Sequence, residues 1–258
     1  MILYHFPGCP YSERVEILLA LKGLSGVIED VVLDISQPRP DWLLAKTGGS
    51  TALPVLEIDG KVLRESAVIL RYLDSMFPDT AVTQRQPVDH AIESLMGMMD
   101  SGYAKAGYAL LMNRDAAMRA ELREGIDAQY RLLDEFLRRH GGAGPFLFDD
   151  FGWAEVIMTP ILKRLQCLDY YDNYEIPPDL TRVRAWHLAC LAAPVAQSRT
   201  LGEVIRLYYD YSRGVGGGRL VPGRLKSSFA LDPPWNGRPM PPRDKWGDGA
   251  SDAELGLA

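Results

Sequence analysis

The apolar residues of this chain change their period once, near residue 78, and that switch limits the folds open to it. Before it, short β-rich runs alternate with helical stretches. After it, from Val88 to about Ser212, the period is helical throughout. A chain of 258 residues can bury two cores, so a compact α/β unit followed by an all-helical one is the expected arrangement. The composition divides it into residues 1–77, a polar, turn-forming linker at 78–87, a helical domain at 88–212, and a Gly/Pro-rich extension at 213–258.

Met1-Ile2-Leu3-Tyr4-His5 reads as a strand, Pro7-Gly8 as a turn, and Arg14 to Lys22 as a helix stopped by Gly23. Pro10 suits a first helical position, where its missing N–H is not needed. Cys9 then falls at the N-cap, facing free backbone N–H groups and the positive end of the helix dipole. Such surroundings favour thiolate over thiol. Val27 to Ile35 reads as a second strand, Pro40 to Lys46 as a short helix, and Asp59-Gly60 as a hairpin turn between Val55–Ile58 and Lys61–Leu63. Ser66 opens a helix that runs through Phe77. The order β-α-β-α-β-β-α resembles a thioredoxin-type sheet. Beyond the linker, long helices are expected over Val88–Asn113 and Asp115–His140, and shorter ones over Gly152–Leu168, Asp179–Ala192 and Val195–Ser212. The tail should be irregular, yet Phe229, Trp235, Met240 and Trp246 make it apolar enough to lie on the body and wall a pocket.

A net charge of −6 with no basic run argues against nucleic acid and anionic membrane surfaces. No apolar run is long enough to span a bilayer, and no signal peptide opens the sequence. Three cysteines without a disulfide spacing fit a reducing cytoplasm, and four scattered histidines without a Cys/His cluster make a metal site unexpected. A lone cysteine is more often a small core hydrophobe than a nucleophile, which is the reading for Cys167 and Cys190. For Cys9 the strand–turn–Cys-Pro–helix context reverses it. Ser12 stands where a dithiol would place its second cysteine, so an external thiol must resolve any disulfide formed at Cys9.

Cys9-Pro10-Tyr11-Ser12, Leu53-Pro54-Val55-Leu56 and Arg64-Glu65-Ser66 together resemble the glutathione site of the glutathione transferases, and a cysteine at this place points to their omega-like class. The resemblance implies a thioredoxin-like glutathione-binding domain, an all-α acceptor-site domain and a homodimer. It implies that Pro54 is the cis-proline of that fold and that Leu53 pairs by backbone with the cysteinyl part of glutathione. Glu65 would accept the γ-glutamyl ammonium, Ser66 would bind the adjacent carboxylate, and Arg39 would meet the glycyl carboxylate. Pro10 and Tyr11 complete the set beside the thiol.

Longer segments are similar to the bacterial glutathione lyases of lignin β-aryl ether breakdown. They are Pro7 to Glu16, Pro38 to Gly49, Phe146 to Glu155, Leu207 to Tyr211, and Arg238 to Trp246 of the tail. That likeness implies a glutathionyl aromatic ketone as substrate and a Cys9–glutathione mixed disulfide as intermediate. Tyr208, Tyr209 and Tyr211 are candidates to hydrogen-bond the leaving enolate, with Tyr211 preferred. The competing readings are a general omega-like thiol transferase or dehydroascorbate reductase, and a non-catalytic binding or redox-sensing protein. One departure concerns the helix near residue 152. Transferases usually start it with Ser/Thr and Asp three residues on, whereas here Gly152 and Glu155 fill those places, a cap roughly a few tenths of a kcal/mol weaker.

Overall fold

A computed structural model describes residues 1–84, 86–221, 223–247 and 249–258; Arg85 of the linker and Pro222 and Asp248 of the tail lie outside the described residues. β1 (Ile2–His5) pairs in parallel with β2 (Glu29–Val32) and antiparallel with β3 (Val55–Ile58). β3 pairs antiparallel with β4 (Lys61–Leu63), giving a sheet of order β2-β1-β3-β4. Leu3 lies opposite Leu56, and Tyr4 opposite Val55. Because successive side chains leave opposite faces, these pairs feed two cores. Leu3 and Leu56 pack with Val15 and Leu18 of α1 (Pro10–Leu21) and Ile69 and Leu73 of α3 (Ser66–Met76). Tyr4 and Val55 pack with Leu33 and with Leu43 of α2 (Asp41–Thr47).

Asp59 and Gly60 both take left-handed backbone, φ 48° and 78°. That is what a two-residue hairpin turn requires and why an Asp-Gly pair sits there. β2 is shorter than the β-rich run Val27–Ile35 because its one neighbour in the sheet, β1, offers four residues to pair with.

The helical half comprises α4 (Pro87–Met98), α5 (Asp100–Met112), α6 (Arg119–His140), α7 (Trp153–Leu165), α8 (Cys167–Asp172), α9 (Thr181–Ala192), α10 (Leu201–Leu207) and α11 (Tyr209–Ser212). Three stretches expected as single helices are interrupted, at Met99, at Gln166, and at residues 197–200 and Tyr208. A fourth begins late, because Asp115 caps a turn of 3₁₀ helix over Ala116–Met118 before α6 starts. At Met99 (φ −77°, ψ −14°) and Gln166 (φ −57°, ψ −27°) the backbone stays near helical values, so the apolar period runs on through the break.

Every residue of α7 is buried, and it packs on α1, α4, α5 and α9. Gly152 gives its N-terminus no side-chain cap, and Glu155 works alone there. Its carboxylate accepts from the Gly152 N–H at 3.0 Å, the Leu147 N–H at 2.8 Å and the Trp186 indole at 2.8 Å.

The linker is fastened by Asp74. Its buried carboxylate accepts from Lys22 Nζ at 2.6 Å, from the Val82 N–H at 2.9 Å and from the Thr83 hydroxyl at 2.8 Å. Burial alone would raise its pKa, but the Lys22 ammonium and the Val82 and Thr83 donors outweigh it and hold the carboxyl below the usual range. A depressed folded-state pKa gives stability that is present above about pH 4 and lost as pH falls further. Asp74→Asn should therefore flatten the acid limb of the stability–pH profile, read from urea midpoints between pH 7 and pH 3.

Among its described residues the tail is irregular apart from one 3₁₀ turn at Trp235–Gly237, and it packs on the body through buried Phe229, Trp235, Leu255 and Leu257. Buried Lys245 donates to the Leu111 carbonyl at 3.0 Å, at the C-terminal end of α5 where a cation is favoured. Among the described residues no helix is long and apolar enough to cross a membrane.

Candidate active site

The chain leaves β1 at His5, turns through Phe6-Pro7-Gly8, and enters α1 with Cys9 as its N-cap, φ −75° and ψ 124°. The Cys9 N–H donates to the Phe6 carbonyl at 2.9 Å, which closes the turn. Gly8 is needed there: a Cβ would stand 2.5 Å from Phe6 Cε1 and 2.9 Å from Leu207 Cδ2. The Cys9 thiol is half-buried and donates to the Leu53 carbonyl at 3.7 Å. Leu53–Pro54 is a cis peptide bond.

Cys9, Pro10, Tyr11, Arg39, Leu53 and Tyr211 line a single cavity of about 250 Å³. Arg39 reaches it with Nε donating to the Thr51 carbonyl at 3.2 Å. Burial pulls the Arg39 guanidinium down, while the Cys9 sulfur and Asp34 push it the other way. Pro54, Glu65 and Ser66 are not in the cavity wall. Glu65 is exposed and holds φ 65°, ψ 114°, a strained backbone for a residue with a Cβ. Ser66 is buried at the start of α3, and its Oγ accepts from Arg14 Nη1 at 3.1 Å. Its hydroxyl hydrogen and its backbone N–H remain donors. Arg14 is itself held by Asp100 at 2.6 Å and by the Ile157 carbonyl at 2.9 Å.

The wall facing Cys9 is aromatic. The break at Tyr208 places Tyr208 and Tyr211 one turn apart, rings 5.1 Å between centroids, both on the cavity. Tyr209 turns away to the tail, under the Arg224 guanidinium. Tyr108 of α5 shares a hydrogen bond of 3.0 Å with Tyr208, and Phe229 of the tail packs on Tyr211 at 5.1 Å. Burial raises the pKa of all three phenols; at Tyr211 a hydrogen bond from the Gly217 N–H works against it. They are therefore protonated donors at neutral pH. Gly216 leaves no room for a side chain, since a Cβ would lie 2.8 Å from the Tyr211 ring.

Phe229 is the one of the four apolar tail residues that lines this cavity, whereas Tyr108 has no local signature. Tyr108 is an ordinary tyrosine in an expected long helix. Cys167 and Cys190 are fully buried in the helical core, where burial raises their thiol pKa values. Among the described residues no group of His, Cys, Asp or Glu could hold a metal ion.

A thioredoxin-like sheet joined to a helical domain, with one cavity thiol at a helix start between them, defines the transferase type of glutathione enzyme. Residues 3–81 match the family described as "Glutathione S-transferase, N-terminal domain". Protein IN2-1 homolog A of Oryza sativa subsp. japonica is 30% identical over 177 residues, 67% of this chain and 69% of the relative. The chain belongs to the glutathione S-transferase superfamily, whose enzymes use glutathione as co-substrate. Glutathione S-transferase omega-1 of Mus musculus is 24% identical over 220 residues, covering 81% of this chain and 86% of that one. The fold is shared with Chlamydomonas reinhardtii dehydroascorbate reductase, at a TM-score of 0.64 and 22% identity over 81% of this chain and 97% of that one.

Proposed function

We propose that the protein removes glutathione from an α-glutathionyl aryl ketone of the kind formed in lignin β-aryl ether breakdown, with Cys9 as nucleophile. The observation that carries this reading is one half-buried thiol facing Tyr108, Tyr208, Tyr211 and Phe229 across a single cavity. Cys9 thiolate attacks the glutathionyl sulfur, the carbon–sulfur bond breaks, and its electron pair leaves as the ketone's enolate. A proton from a tyrosine or from water converts the enolate to the ketone. A second glutathione thiolate then attacks the Cys9–glutathione disulfide, releasing oxidised glutathione and Cys9 thiolate. Leu53, Glu65, Ser66 and Arg39 hold the tripeptide in this reading, Pro10 and Tyr11 line the cavity beside its sulfur, and Pro54, outside the wall, orients Leu53.

Supplying a glutathionyl aryl ketone with free glutathione should yield ketone and oxidised glutathione in equal amounts. Brisk disulfide or dehydroascorbate reduction with no ketone released would replace this reading with the second one, general thiol transfer, which the names of the omega and dehydroascorbate reductase relatives support. A binding or sensing protein without turnover is disfavoured by a thiol that opens onto the cavity. Tyr211→Phe should lower kcat about 10–100-fold with little change in KM, because its donor acts on charge that develops only as the carbon–sulfur bond breaks. Full retention of rate would remove Tyr211 from the mechanism. A homodimer is part of the proposal, supported by Val68 and Met76 of α3 and Val88, Leu95 and Met98 of α4, all exposed.

A further inference from the structure

Glu13, one turn into α1, is fully buried, and its single carboxylate is shared by two cations from α7. Lys163 Nζ lies 2.7 Å from Oε1, Arg164 Nη1 donates to Oε2, and the Ser198 hydroxyl also donates to Oε1. Glu13 is the carboxylate in contact with both cations; burial pulls the Lys163 ammonium down to about 8, Arg199 adds to that fall, and Glu16 and Glu203 work against it. Arg199 stands 3.4 Å from Glu16, with His5 against the same carboxylate. A buried guanidinium that shares its carboxylate with a second cation is only partly compensated, which is costly.

Arg164 is fully buried, and its far side points to the thiol loop. Nη2 donates to the Gly8 carbonyl at 3.2 Å, in the peptide that joins Gly8 to Cys9. Its Nε has no partner among the described residues. Burial pulls this guanidinium down to about 10, still charged at neutral pH; Arg199 adds to that fall, while the Tyr208 phenol and the Cys9 sulfur work against it. Tyr208 is the cavity tyrosine bonded to Tyr108.

We propose that Arg164 is a positioning residue that reaches from the helical domain to supply the buried counter-charge of the Cys9 thiolate and to anchor its loop through Gly8. This rests on Cys9 being the nucleophile. The Arg164 guanidinium, which shares Glu13 with Lys163, gains a second anion once Cys9 ionises, and it also fixes the loop on which the sulfur stands.

The test follows the rate of iodoacetamide labelling at Cys9 against pH, located by mass spectrometry in the full-length protein. Arg164→Met should raise the midpoint by about one pH unit and slow labelling at pH 7 about tenfold. Arg164→Lys, which keeps the charge, should restore most of the shift. Glu13→Gln removes the competing anion and should move the midpoint the opposite way, downward. A role confined to holding the two domains together predicts that loosening in either variant drives Cys9 toward an ordinary thiol, so opposite signs separate the two. Should Arg164→Met fail to fold by circular dichroism, the signs for Glu13→Gln and Arg164→Lys decide the matter. A folded Arg164→Met with an unmoved midpoint, or a Glu13→Gln midpoint that rises, overturns the proposal. Failure of the Cys9 reading looks different: the unaltered protein would take no label at Cys9.

Discussion

Cys9→Ser should lose turnover of glutathionyl substrates by about 10³-fold or more, and no protein mass corresponding to one bound glutathione should appear after incubation with substrate. The size of the loss follows from the chemistry. A serine hydroxyl at the same N-cap is not ionised near neutral pH and cannot form the disulfide through which glutathione leaves. Glutathione affinity, measured by calorimetry, should fall far less, because the residues proposed to hold the tripeptide are untouched. A fully active variant would pass the role to Ser12, the serine three residues further on. The structure makes that outcome hard to realise, since Ser12 is completely buried beneath the helix start. Cys167 and Cys190, buried as they are, should take no glutathione in either protein.

Glu155→Ala should be the most destabilising single change outside the apolar core, at about 3 kcal/mol or more. Its carboxylate satisfies three donors on three segments: Gly152 at the start of α7, Leu147 in the preceding loop and Trp186 of α9. Removing it strands each of them away from water, at about 1–3 kcal/mol per stranded donor. Glu155→Gln keeps one carbonyl oxygen for Leu147 and Trp186, so its cost should be about half as large. Urea midpoints followed by tryptophan fluorescence would separate the two, Trp186 being itself a partner. Equal midpoints for the alanine variant and the unaltered protein would mean that relaxation or water satisfies all three donors.

The same carboxylate shows where reading residues in order runs short. Gly152 followed by Glu155 resembles a degraded capping box, and its cost is small if only the Gly152 N–H is counted. The bonds to Leu147 and Trp186 cross a loop and a helix pair, and no spacing announces them. The hairpin, by contrast, was legible because Asp59 and Gly60 must carry both left-handed residues themselves. The helix break at Tyr208 was hidden by the continuing apolar period, and it decides which tyrosines face the cavity. Cys9, Pro10, Tyr11, Arg39, Leu53 and Tyr211 could be named from motif and resemblance. Phe229 could be named only as one of four apolar tail residues fit to wall a pocket; Tyr108 and Arg164 could not be named, because each enters the site by long-range packing on a helix that looks ordinary alone.

The collision awaiting any side chain at Gly8 involves Leu207 of α10 as well as Phe6. The thiol-bearing turn therefore has one face moulded by the opposite half of the molecule, which also grips the Gly8 carbonyl through Arg164. It follows that this turn is not a portable cassette. Grafting residues 1–77 onto a foreign helical partner would carry over the nucleophile and its motif but leave behind the stop and the anchor that set its position. Recombination between relatives should then succeed only where residues 164 and 207 travel with residue 8.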